Sequence, residues 1–184
     1  MVIVQNTGML VRLLHLQQKQ ISMRPIIVLT VACVVMSCSP KIPARETGSS
    51  SGRKEISSNM EEAILQLVNN HRRSKGLGAL QMNPIASSQA YNHSKDMATG
   101  KTGFGHEGFE QRVNNIKSAM GVSYIAASAE NVAYGQLSAE AVVKGWLNSS
   151  GHRKNIEGNY NQSGIGIAKD RQGNLFFTQL FFRK

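Results

Sequence analysis

Gly164-Ile165-Gly166-Ile167-Ala168, followed by Asp170-Arg171-Gln172-Gly173-Asn174 and then Leu175-Phe176-Phe177-Thr178-Gln179-Leu180-Phe181-Phe182, is the stretch that decides the fold class. Branched apolar residues alternate with small ones, a turn-forming segment follows, and the last run is rich in aromatic and branched side chains. This pattern predicts a β-hairpin at the C-terminus. Gly164-Ile165-Gly166 has a superficial likeness to a phosphate loop. It lies inside a strand rather than between a strand and a helix, so that reading is dropped.

Upstream of the hairpin the signals are helical. Ser58 with Glu61 three residues on forms a capping box, and Met60, Ile64, Leu67 and Val68 make an apolar stripe that ends before Gly76, predicting a helix over about 59–74. Asn83 before Pro84 is an N-cap with proline at the first helical position. Ile85, Ala86, Ala90 and Met97 carry that helix to Gly100, and it presents His93. A third helix is predicted over about 109–119, ending at Gly121. A fourth opens at Ser138, has Glu140 in its first turn and buries Val142, Val143 and Trp146. Residues 124–128 and 131–134 are shorter strand candidates on either side of Glu130. Helices first and a hairpin last imply an α+β domain, with helices packed on a largely antiparallel sheet.

The N-terminus is unlike the rest. Arg24 and Pro25 precede an apolar run over residues 26–36, a length that suits a signal-peptide core better than a bilayer span, which needs about 20 residues. The run ends at Val35-Met36-Ser37-Cys38, which resembles the lipobox of bacterial lipoproteins, where the cysteine is acylated and becomes the first mature residue. Residues 1–22 fit no signal architecture, and Met23 is an alternative start of translation. The expected organisation is therefore an N-terminal extension and signal peptide over 1–37, a flexible Ser-, Gly- and Pro-rich tether over 38–58 after lipidated Cys38, and one domain over 59–184. That places the protein in the bacterial cell envelope, lipid-anchored to a membrane or secreted.

Composition agrees with export. Cys33 and Cys38 are the only cysteines, so a chain starting at Cys38 has one thiol, forms no internal disulfide and depends on packing for stability. Three of the 21 basic residues precede Cys38, which leaves 18 against 11 acidic residues and a formal charge of +7. That excess is either a solvated basic surface or an attraction to anionic envelope polymers and lipid headgroups. The basic residues are scattered and no nucleic-acid motif is present, so no nucleic-acid partner is expected.

Three segments suit the lining of a cleft: Gly103-Phe104-Gly105-His106-Glu107-Gly108, Ala129-Glu130-Asn131-Val132-Ala133-Tyr134-Gly135, and Gly145-Trp146-Leu147-Asn148-Ser149-Ser150-Gly151-His152-Arg153-Lys154-Asn155-Ile156. His106, Glu130 and His152 are the candidate cavity residues, with His93 and Asn131 as weaker ones. His93 also reads as a structural side chain paired with Asp96 one turn on. Two neutral imidazoles and a carboxylate could hold Zn²⁺ or another divalent metal and lower the pKa of a bound water toward about 7. Without metal, Glu130 could fix the tautomer of one His and leave the other as a base or ligand contact. No nucleophile is visible. Ser149 and Ser150 read as caps of a short helix, and neither a Gly-x-Ser-x-Gly elbow nor a His-Glu-x-x-His helix occurs.

Several of these motifs together resemble the CAP superfamily of cysteine-rich secretory proteins, insect venom antigens and plant pathogenesis-related proteins, in its bacterial, SCP-domain branch. They are Glu130-Asn131-Val132-Ala133 with Gly135; Trp146 before Ser150-Gly151-His152-Arg153-Lys154-Asn155-Ile156; His93-Ser94-Lys95-Asp96-Met97; and Phe177-Thr178-Gln179. The resemblance covers nearly all of residues 59–184 and implies a three-layer α-β-α sandwich with a central, largely antiparallel sheet. It further implies a cavity lined by two His and two Glu, onto which His106 and Glu130 map. His152 is the substitute for the second His, and the second Glu has no clear counterpart.

Three functions follow from these readings: a non-enzymatic binding module for a lipid or other envelope ligand, a metal-assisted hydrolase of peptide or envelope substrates, and a surface structural or interaction protein. The incomplete tetrad and the missing nucleophile favour the first.

Overall fold

The computed structural model describes the backbone over residues 50–135 and 138–184, with side chains from Ser58 onward. The expected signal peptide, Cys38 and the tether as far as residue 49 lie outside the described residues. The chain order is α1 (Ser50–Ser74), β1 (Gln81–Met82), α2 (Pro84–Ala98), α3 (Phe109–Ala119), β2 (Ala127–Gly135), α4 (Ala139–Asn148), α5 (Ser150–Ile156), β3 (Gln162–Lys169) and β4 (Leu175–Arg183).

Local chemistry explains most of these bounds. Asn83 Oδ1 accepts from the Ala86 amide at 3.0 Å and Pro84 takes the first helical position, so α2 starts where its orphan amide is satisfied. Ser138 Oγ accepts from the Ala141 amide at 3.2 Å and opens α4 in the same way. Ser149 stands at the N-cap of α5 without a side-chain capping bond. Helix α1 begins at Ser50, ahead of the predicted Ser58 cap. Residues 50–58 hold one glycine and no proline, so backbone propensity does not stop the helix there.

The four strands run in the order β1-β3-β4-β2. β3 and β4 form the predicted hairpin, β2 pairs antiparallel with β4, and the two-residue β1 pairs parallel with β3, so the sheet is mixed at one edge. One face carries Ile165, Ile167, Phe177 and Phe181, packed against Ile64, Leu65 and Val68 of α1 and Val142, Val143 and Trp146 of α4. The other face carries Leu180 and Phe182, packed against Ala86 and Ala90 of α2 and Ile116 of α3. Side chains alternate across each strand, and the result is an α-β-α sandwich. Trp146 is 2% exposed and donates from its indole to Val132 O at 3.3 Å.

The glycines of the deciding stretch have a steric cause. A Cβ on Gly164 would lie 2.2 Å from the Ala86 carbonyl carbon, and one on Gly166 would lie 2.0 Å from the Tyr91 amide nitrogen. The α2 backbone therefore rests directly on β3, a separation only glycine permits. Ser94 Oγ secures that contact. It donates to Gly166 O at 2.9 Å and accepts from the Thr178 hydroxyl at 2.8 Å, because the carbonyl can only accept.

Candidate functional site

Glu130 lies in the middle of β2. The two short strands expected on either side of it are one continuous strand, with Glu130 in register opposite Leu180. Its side chain is therefore on the face covered by α2 and α3, and the residue is only 6% exposed. A carboxylate can be buried there because a cation meets it. Arg112, at the buried face of α3, donates from Nε to Oε2 at 2.8 Å and from Nη2 to Oε1 at 2.8 Å. Its Nη1 donates to Glu107 O at 2.7 Å, which ties the loop before α3 to the same guanidinium. Gly108, with φ 74°, begins that helix in the left-handed region beside Arg112 Nη1, a conformation glycine adopts without strain.

His106 completes the group. Its Nδ1 is 2.9 Å from Glu130 Oε1, and because the carboxylate accepts, Nδ1 carries the proton. In the neutral ring Nε2 is then the unprotonated nitrogen, and the side chain is 42% exposed. His93 packs against the same carboxylate at 3.9 Å, beyond hydrogen-bond reach. Its Nε2 donates to Gly105 O at 2.8 Å, not to Asp96, whose carboxylate is taken by Lys101 at 3.0 Å. Burial pushes the His93 imidazole below its ordinary pKa; Glu130 pulls the other way and Arg112 adds to the depression.

Asn131 points to the opposite face, as the strand alternation requires. Its Nδ2 donates to His152 O at 3.2 Å and its Oδ1 accepts from Asn155 Nδ2 at 2.9 Å. Asn155 Nδ2 also reaches Glu130 O at 3.1 Å, so α5 is fastened along the free edge of β2, which would otherwise present unpaired backbone groups. The His152 ring is half-buried. Burial, and then the nearby His106, lower its pKa. Glu130 and His106 thus touch directly and His93 packs behind them, while His152 stands on α5, whose backbone carbonyl at His152 is held by Asn131.

Arg112 is the member of this cluster that sequence reading missed. Arg112 and Ile116 are four residues apart on one helical face, and a cation in phase with a buried apolar residue signals a buried counter-charge.

Zn²⁺ or a similar ion at His106, Glu130 and His152 is a poor fit to these donors. Both Glu130 oxygens already accept charge-assisted bonds, and a metal there would sit against the Arg112 guanidinium. Among the described residues, no group of three or more His, Cys, Asp or Glu side chains is arranged to hold an ion.

Beside the cluster lies an aromatic patch. Phe104, two residues before His106, packs its ring 5.3 Å from Tyr134 and 6.5 Å from Phe176, and Tyr134 stacks on Phe176 at 5.5 Å. Phe104 is 55% and Tyr134 58% exposed, which is unusual for large rings that could pack inward. Hollows among the described residues include one of about 430 Å³ along α5 and one of about 500 Å³ at the turn of the C-terminal hairpin.

Comparison with known proteins agrees with this architecture. The family model described as "CAP: Cysteine-rich secretory protein family" matches residues 65–181. "Uncharacterized protein YkwD" of Bacillus subtilis (strain 168) is 36% identical over 77% of this chain and 54% of its own length. "Uncharacterized membrane protein YlbC" of the same strain is 31% identical over 71% of this chain and 36% of its own. The chain therefore spans about half, or less, of the length of the curated relatives it matches. Among solved structures, an extracellular protein containing a SCP domain from Bacillus anthracis str. Ames superposes with a TM-score of 0.61 and 28% identity, covering 75% of this chain and 45% of that one.

Proposed function

This chain belongs to the cysteine-rich secretory protein (CAP) family, and on that footing we propose that it is an exported bacterial envelope protein, anchored through lipidated Cys38, that binds a lipid or similar amphipathic envelope ligand without transforming it. Export is supported by the lipobox-like Val35-Met36-Ser37-Cys38, by the extracellular SCP-domain neighbour and by the relative named as a membrane protein.

One observation carries the binding reading: Glu130 has both oxygens committed to Arg112 and His106, while the 42%-exposed His106 side chain stands two residues from Phe104, whose ring packs with Tyr134 and Phe176 in a largely exposed aromatic patch. An apolar chain or ring would lie on Phe104, Tyr134 and Phe176. Its polar head would meet His106, as an acceptor when the ring is neutral and a donor when it is protonated. His152, close by, would contribute a second polar contact. The metal-assisted hydrolase reading draws less support, because the carboxylate it needs is already neutralised.

The test is saturable binding of a fluorescent fatty acid, cis-parinaric acid, to the full chain. Binding that persists in excess chelator and is lost in a Phe104→Ser, Tyr134→Ser double variant supports the reading. Binding abolished by chelation, or unchanged in the double variant, overturns it.

A further inference from the structure

We propose that the hollow along α5 is a second binding site, for a phosphate-type oxyanion. Asn155, which fastens α5 to the β2 edge, also lines it, but His106, Glu130 and His152 do not, so it does not rest on the site proposed there. Its volume is about 430 Å³, enough for a phosphate and part of the group that carries it, and its walls include Ser150, Arg153, Lys154, Glu157, Gly158 and Tyr160.

Charge points to an anion. Arg153 spends Nη1 on Leu147 O at 2.9 Å and keeps its remaining donors, and Lys154 has no hydrogen bond or ion pair among the described residues. Glu157, the one acid in the lining among the described residues, pairs with His71 Nε2 at 2.8 Å, and Lys75 and Arg153 also act on it. Behind the wall, the buried Arg72 guanidinium donates to Gly78 O at 2.8 Å, Ile156 O at 2.7 Å, Gly158 O at 2.8 Å and Tyr160 O at 3.1 Å. Those carbonyls take four of its five N–H donors, and among the described residues no carboxylate pairs with its charge, so the local field stays positive.

The same bonds make the wall rigid. Arg72 pins residues 156–160 from within, and the Tyr160 ring lies so close over Gly158 that a Cβ there would fall 2.2 Å from it. Tyr160 also packs on Phe181 at 5.7 Å. Arg153, Lys154, Ser150 and Tyr160 therefore line one hollow whose 156–160 wall is held from within, and a guanidinium, an ammonium and two hydroxyls are a donor set suited to a tetrahedral oxyanion. In an envelope, that anion comes either from a lipid headgroup or from a soluble phosphate-bearing polymer.

The experiment uses the full chain with two probes, glycerol 3-phosphate in solution and vesicles of phosphatidylglycerol, with phosphatidylcholine vesicles as the neutral reference. An Arg153→Ala, Lys154→Ala variant is compared with Lys95→Ala, Lys144→Ala, which removes the same charge from exposed positions elsewhere. Binding of either probe that weakens by about tenfold or more in the first variant and little in the second supports the site. A response to glycerol 3-phosphate with amide shifts at Ser150 and Tyr160 identifies the free ester as sufficient; a response confined to phosphatidylglycerol vesicles assigns the lipid headgroup. Binding of neither probe, or equal weakening in both variants, overturns the proposal.

Discussion

Arg112 grips Glu130 through two parallel bonds of 2.8 Å, Nε to Oε2 and Nη2 to Oε1, and the pair is almost out of solvent, with side-chain exposures of 10% and 2%. This fork holds α3 to the edge strand β2 and sets the carboxylate at the angle from which it orients His106. Glu130→Ala would leave a buried guanidinium without its counter-charge, so a loss of about 3–5 kcal/mol is expected in chemical denaturation. The Arg112→Met, Glu130→Leu double variant should recover much of that loss. A double variant no more stable than Glu130→Ala alone would show that the fork is not the source.

His106→Ala should behave differently. The side chain is 42% exposed and its bond to Glu130 is one of several on that carboxylate, so a cost below about 1 kcal/mol is expected. Binding of cis-parinaric acid should nevertheless fall. A large drop in thermal stability with binding intact would make His106 a fastener of the loop and not a ligand contact.

Stability should fall on mild acidification. Burial depresses the pKa of both His93 and His152 in the folded protein, so the unfolded chain takes up protons first as the pH drops. Their contribution is complete above the unfolded histidine value of about 6.5 and is lost as the pH falls toward their lower folded values. The melting temperature should therefore decline between about pH 7 and pH 5, and His93→Gln should flatten part of that decline. A profile unchanged by His93→Gln would assign the acid sensitivity elsewhere.

Gly166→Ala tests the contact between α2 and the sheet. The new methyl would enter the backbone of α2 at Tyr91, where no flexible side chain can yield. A cost at the upper end of about 1–3 kcal/mol is expected from urea unfolding. Tolerance within about 0.5 kcal/mol would mean that the helix can lift from the strand.

The elements read correctly from sequence are those with local determinants. Asn83-Pro84 marks the start of α2, Ser138 opens α4, and the alternation after Gly164 with the turn at Asp170 gives the hairpin. Where the determinant is a distant partner, sequence reading fails. Glu130 looked like a break between two strands because the Arg112 that neutralises it lies 18 residues upstream. β1 has two residues, too short for any periodicity. The same holds for the site: the segments of His106 and Glu130 mark them as candidates, whereas for His93 the sequence offers Asp96, one helical turn away, as a partner for a structural side chain. Its partner is the Gly105 carbonyl, brought within 2.8 Å by the loop.

The most direct measurement is the tautomer of His106, read from ring nitrogen shifts in the folded protein at a pH where the imidazole is neutral. Because Glu130, held by Arg112, accepts from Nδ1, the expected result is the Nδ1–H form with Nε2 unprotonated, unaffected by chelator. A ring found as the Nε2–H form, or one that reaches the Nδ1–H form only when Zn²⁺ is added, would contradict it.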